Sequence, residues 1–157
     1  MTVAASIARP ESRGTIMAKS SDPFVRPSLK PNYLSAPNDL HVALAGIALA
    51  RRVIAAPALA RHSVRETSPG PGIITQAALA DYIRQQGTTI YHIVGTCKMG
   101  TDPMAVVDAR LKVRGLLGLR VIDASIMPTV TTANTNAPTI MIAEKGAAMV
   151  RQDATAG

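Results

Sequence analysis

Residues 138–151 carry Ile140, Met141, Ile142, Ala143, Ala147, Ala148 and Val150, apolar side chains spread nearly all the way round a helix. A helix of this kind has no face to give to water, so it must be buried or must dock on another body. The residues before it say how it is entered. Leu119-Arg120-Val121-Ile122 reads as a strand running into a turn at Asp123-Ala124-Ser125, and Asn134-Thr135-Asn136-Ala137-Pro138-Thr139 reads as the helix start. Asparagine suits the cap position, and a proline in the first turn lacks only an N–H that would have no partner there.

Upstream, Gly14-Thr15-Ile16-Met17-Ala18 has the composition of a short strand and ends in the turn cluster Ser20-Ser21-Asp22-Pro23. Pro27, Pro31 and Asn32 predict an extended stretch as far as Tyr33-Leu34. Asn38 or Asp39 is a candidate N-cap for a helix with Leu40, Leu44, Ile47 and Ile54 along one stripe. Thr75 is placed to cap a second helix that turns Leu79, Tyr82 and Ile83 to one side and stops at Gly87. Residues 88–94 are rich in β-branched side chains and predict a strand. Short strand pieces are expected at Val106-Val107 and Leu111-Lys112-Val113, on either side of Asp108. The first dozen residues and the tail after Asp153 read as loose.

Composition narrows the function. With one Phe, three Tyr and no Trp, the chain has no set of aromatic platforms for single-stranded nucleic acid. Its net charge of +7 is dispersed, with no run of five or six basic residues, so the total alone makes no nucleic-acid site. The single cysteine, Cys97, excludes an internal disulfide and any multi-cysteine zinc site. Cys97 reads as a packed small hydrophobe rather than a nucleophile. No secretory leader and no transmembrane segment is recognised, and the chain reads as soluble and cytoplasmic.

His92 is the first candidate for chemistry, within Tyr91-His92-Ile93-Val94-Gly95-Thr96-Cys97-Lys98-Met99-Gly100. A strand histidine can simply be a satisfied core or surface group. This one stands beside Gly95-Thr96, where backbone can approach a ligand, and on the border between an apolar run and a loop. Asn134 and Asn136 carry two compatible readings: they cap the helix, or the free N–H groups at its positive end stabilise a developing negative charge. Asp123 is either a turn carboxylate or the start of a turn whose N–H groups face a cofactor. His41 and His62 carry no signal, and three separated histidines with one cysteine lack metal-ligand spacing.

The segment from about Arg9 to Asp153 resembles the C-terminal half of the glucose-methanol-choline oxidoreductases, within them the choline-dehydrogenase-like group. Arg9-Pro10-Glu11-Ser12-Arg13-Gly14 and Pro31-Asn32-Tyr33-Leu34-Ser35 look like that family's substrate-domain strands. Residues 91–100 and 123–145 look like its two C-terminal signatures. The resemblance implies an α+β fold: a mainly antiparallel substrate-domain sheet with helices, then a C-terminal strand and helix returning to an FAD-binding domain absent from this chain. It divides the chain into a substrate-domain portion, residues 1–112, and a return segment of the FAD-binding domain, residues 113–157.

It also implies roles. His92 matches the catalytic acid/base, accepting the alcohol proton while hydride passes from the carbinol carbon to the flavin N5. Asn134 matches the second active-site residue, which holds the substrate oxygen. Asp123 and Ala124 match the turn touching the cofactor, and Thr135 and Asn136 the helix start facing the flavin's pyrimidine ring. The implied cofactor is FAD, the implied substrate a small-molecule alcohol. A G-x-G-x-x-G fingerprint, on which the ADP half of FAD would rest, is absent from these residues. A polypeptide supplying the N-terminal FAD-binding region is therefore the expected partner, with this chain a C-terminal fragment or one half of a split enzyme. The other reading is a non-catalytic remnant or interaction module that keeps the substrate-domain fold.

Overall fold

Prolines set the helix boundaries in the first part of the chain. In the computed structural model, which describes residues 1–132 and 134–155, helix α1 spans Pro37–Ala55 with proline at its start. Alanine-rich sequence carries it for five turns. It ends because Ala56 precedes Pro57 and takes the extended conformation that pre-proline residues prefer, φ −61° and ψ 139°. A single turn, α2 (Pro57–Ala60), follows. Helix α3 (Gln76–Gln86) is capped by Thr75, whose hydroxyl accepts the Ala78 N–H at 3.2 Å.

Two compact units make up the chain, Met1–Ile90 and Tyr91–Gly157. In the first, strands β1 (Thr15–Met17) and β2 (Ser28–Lys30) pair antiparallel with Ile16 opposite Leu29. They form the only sheet among the described residues. Helices α1 and α3 pack together, with Ala80 and Ile83 buried and Leu40, Leu44, Ile47 and Ile54 half-buried.

In the second unit a core of Val107, Leu111, Ile126, Met127 and Ile142 is packed by Val94, Met99, Val113, Ile122 and Met149. It is threaded by isolated bridges, Met99 with Val107, Val107 with Val113, and Lys112 with Arg120. A 3₁₀ turn at Ala124–Ile126 leads towards helix α4 (Asn136–Thr155). No helix among the described residues is long and apolar enough to cross a membrane.

Several sequence expectations need correction. The mainly antiparallel sheet is reduced to the β1–β2 ribbon, because a strand needs a partner along its edge and few segments here supply one. Residues 88–94 form no strand: Tyr91 has φ 63° and Gly95 φ 88°, which break the extended path. Residues 119–122 make one bridge and two backbone bonds, Val113 N–H to Leu119 and Val121 N–H to Leu111, but no ladder. The 106–107 and 111–113 pieces are likewise single rungs.

The two family-like motifs at 9–14 and 31–35 flank the ribbon instead of forming it, and Asn32 and Leu34 take left-handed φ values of 51° and 59°. Asn32 Nδ2 donates to the Arg13 carbonyl at 3.2 Å, tying the two motifs together at the ribbon's end.

Neither Asn38 nor Asp39 caps α1. Ala36 stands there without a side-chain bond, and Asp39 is 2% exposed. Its carboxylate accepts the backbone N–H groups of Glu11 and Ser12, each at 2.8 Å, and the Ser12 hydroxyl. The end of the N-terminal dozen is thus tied down. Gly87 does stop α3, though with φ −63°. Glycine is needed there because a Cβ would strike the Ile83 carbonyl. The tail after Asp153 is helical through Thr155, while residues 156 and 157 lie outside the described residues.

Candidate active site

His92 is half-buried, on a loop whose following residues are held by two successive carbonyls. The N–H groups of Gly95 and Cys97 both donate to Ser125 O, at 3.0 and 3.1 Å, and Met99 N–H donates to Ile126 O at 2.8 Å. The loop after His92 and the 3₁₀ turn after Asp123 are therefore fixed to one another by backbone. Gly95 is required for its left-handed φ of 88°.

Asp123 caps the 3₁₀ turn, its Oδ1 accepting the Ser125 N–H at 2.7 Å. This is the behaviour of a turn carboxylate, and it occupies one of the N–H groups that the turn could otherwise present. Ala124 is half-buried against the core, and its carbonyl accepts the Met127 N–H at 3.2 Å. Cys97 is a free, half-buried thiol. Among the described residues no three His, Cys, Asp or Glu side chains gather as a metal site.

At the start of α4, Asn134 and Asn136 are exposed and Thr135 between them is 8% exposed. Asn136 is the first helical residue and Pro138 sits in the first turn. Thr135's carbonyl accepts both the N–H and the hydroxyl of Thr139, at 3.0 and 2.6 Å. Its own hydroxyl meets Nδ1 of His92 at 3.1 Å. That contact joins two motifs 43 residues apart in sequence. Sequence reading placed Thr135 among cofactor contacts through its backbone but missed this side-chain partner, because no spacing rule relates a helix start to a distant loop.

The charged surroundings were also illegible in advance. Lys112, Arg120 and Arg110 all pair with Asp153 near the end of α4. Lys112 does most to hold the Asp153 carboxyl far below its ordinary value; partial burial opposes it, and Arg120 and Arg110 add to the lowering. Asp108 accepts the Arg110 and Lys112 N–H groups at 2.8 and 2.9 Å, and the Lys112 bond leads in holding its carboxyl low.

The joined His92 loop, Asp123 turn and α4 start can be set beside known proteins. A model of the GMC oxidoreductase family matches residues 10–143. The chain belongs to the GMC oxidoreductases. It is 50% identical over 141 residues to alcohol dehydrogenase (acceptor) of Pseudomonas putida, covering 90% of this chain and 26% of that protein. It is 49% identical over 143 residues to oxygen-dependent choline dehydrogenase of Pseudomonas savastanoi pv. phaseolicola, covering 91% of this chain and 25% of that one. Its fold matches an FAD-dependent oxidoreductase from Chaetomium thermophilum with a TM-score of 0.88 at 26% identity, over 94% of this chain and 26% of that chain. This GMC chain therefore spans about a quarter of the length of the relatives it matches. The α+β character agrees with that family, with four α-helices and one small sheet among the described residues.

Proposed function

We propose that this chain supplies the catalytic edge of an FAD-dependent oxidoreductase acting on the CH–OH group of a small-molecule alcohol. The observation that carries the reading is the His92–Thr135 contact, which unites a histidine-bearing loop with a helix start. Relatives named for alcohol and choline dehydrogenation support the substrate class. In this reading residues 1–112 belong to the substrate domain and residues 113–157 form the return segment of the FAD-binding domain. The G-x-G-x-x-G region comes from a further polypeptide segment, in the same protein or a partner. The site works in the cytoplasm, without nucleic acid.

The donor set fits the pyrimidine edge of a flavin. The first N–H groups of a helix have no intrahelical acceptor, and no acidic side chain stands in the first turn of α4 to neutralise its positive end. Thr135 and Asn136 would hold the ring there through their backbone, and Asp123 and Ala124 would touch the cofactor through their turn. FAD, when bound, supplies the hydride acceptor. His92 accepts the alcohol's proton at Nε2, since Nδ1 faces Thr135. Asn134 is exposed and free to orient the substrate oxygen by a hydrogen bond. The opposing reading, a non-catalytic interaction module, draws on the exposed Ile140, Met141 and Val150 of α4.

The test is anaerobic reduction by alcohol of the flavin in a complex of this chain with an N-terminal GMC segment. His92→Ala should slow the bleaching of flavin absorbance by about 100-fold or more, the upper range for an acid/base group. A loss under roughly threefold would remove His92 from the mechanism. A complex that takes up no flavin would favour the interaction module.

A further inference from the structure

We propose that Thr135 is a positioning residue whose hydroxyl accepts the Nδ1–H of His92 and so keeps the Nε2 lone pair available to the substrate. The inference rests on the acid/base reading of His92 and adds a residue whose side-chain role that reading does not use. Thr135 is 8% exposed as a residue, and the polar groups of buried residues are as a rule hydrogen-bonded. For the Thr135 hydroxyl the partner is the His92 ring nitrogen at 3.1 Å.

The direction of the bond follows from the proton transfer proposed for His92. A neutral imidazole carries one proton, and its other nitrogen is an acceptor. After taking a proton from an alcohol both nitrogens are donors, so a hydroxyl that donated to Nδ1 would lose its acceptor at the moment of reaction. A hydroxyl that accepts from Nδ1 keeps the bond in both states. The ring then need not turn as the proton moves, and Nε2 is the nitrogen that gains and loses it.

Thr135 is suited to hold this geometry. Its carbonyl is gripped twice by Thr139, through the N–H and the hydroxyl. Its β-branched side chain restricts rotation about χ1. On the other side, the His92 loop is pinned by the paired bonds of Gly95 and Cys97 to Ser125. Both ends of the contact are thus fixed by backbone before any ligand arrives, which is what pre-organisation of a proton acceptor requires.

The tautomer can be read directly in the 157-residue chain by long-range ¹⁵N–¹H spectra of its imidazoles. Three histidines are present; His41, exposed, serves as the internal reference, whereas His62 accepts the Arg61 Nε–H at its own Nε2 and does not. At a pH where the rings are neutral, His92 should show the Nδ1–H form while His41 shows the Nε2–H form. Thr135→Val, which keeps the shape and removes the acceptor, should return His92 to the reference pattern, and Thr135→Ser should restore it. A wild-type His92 in the Nε2–H form would overturn the proposal, whether or not any variant folds, and so would an unchanged tautomer in folded Thr135→Val.

In the flavin-loaded complex, Thr135→Val should slow flavin reduction roughly tenfold or more, the scale on which misplaced groups cost rate, with a smaller change in KM. If His92→Ala abolishes reduction and Thr135→Val changes neither tautomer nor rate, the positioning role falls and the acid/base reading stands. If the tautomer responds as stated but His92→Ala leaves reduction intact, the acid/base reading falls and takes the proposed role with it.

Discussion

Asp39 is the most deeply placed charge in the described chain, and its position was read wrongly from sequence because an aspartate at a helix start is usually its cap. Burial alone pushes its carboxyl up. The Ser12 hydroxyl, the N–H groups of Glu11 and Ser12 and the Arg13 charge outweigh that and hold it below 3.8. Asp39→Ala should therefore cost about 3 kcal/mol, since it strands buried donors, and Ser12→Ala about 1 kcal/mol. Urea unfolding measures both, and a loss below about 0.5 kcal/mol for Asp39→Ala would show that water replaces the carboxylate. At the candidate site the same limit holds. His92 was legible because it sits in a motif, and Asn134 and Asn136 because asparagines mark helix starts. The Thr135 hydroxyl was not, since its partner lies 43 residues away.

Among the elements, helices were more legible than strands. The helix 76–86 with its Thr75 cap, the stripe of α1 and the proline in the first turn of α4 all follow from local chemistry. The strand expected at 14–18 is present as β1, but the later ones failed because pairing is not local: the β-branched 88–94 segment turns left-handed at Tyr91, and again just beyond it at Gly95, instead of meeting a neighbour. Helix α4 also holds a steric device. Gly146 is buried, and a Cβ there would press into the Ile122 side chain. Gly146→Ala should gain about 1 kcal/mol in helix propensity and lose roughly 1–3 kcal/mol to overpacking against a stiff β-branched neighbour. The net expectation is a lower melting temperature. A rise would mean that Ile122 repacks without strain.

For the chain taken whole, the +7 charge is less free than its total suggests, because Asp153 gathers three of the basic side chains. Its folded carboxyl titrates well below the ordinary value of 3.8. The linked stability is thus fully present above that ordinary value and is lost as pH falls from there towards the folded value. Asp153→Asn should lower the melting temperature at neutral pH and flatten the decline below about pH 4. An acid limb as steep as wild type would show that the cluster adds nothing to folding. The exposed Ile140, Met141 and Val150 remain on α4 after Ile142 and Gly146 have been buried, so the apolar residues outnumber what this chain covers.

By itself the sequence determined family membership, the three helices with clear caps or stripes, and the two short motifs that bear His92 and Asn134. Those rest on residue identity and spacing along one stretch of chain, which local physics reads directly. Tertiary structure alone decided that Asp39 clamps the N-terminal segment, that Asp153 collects Lys112, Arg120 and Arg110, and that Thr135 meets His92. Each is a polar contact made by burial and chain reversal. Its partners are chosen by which segments the core brings together, not by any pattern within either segment.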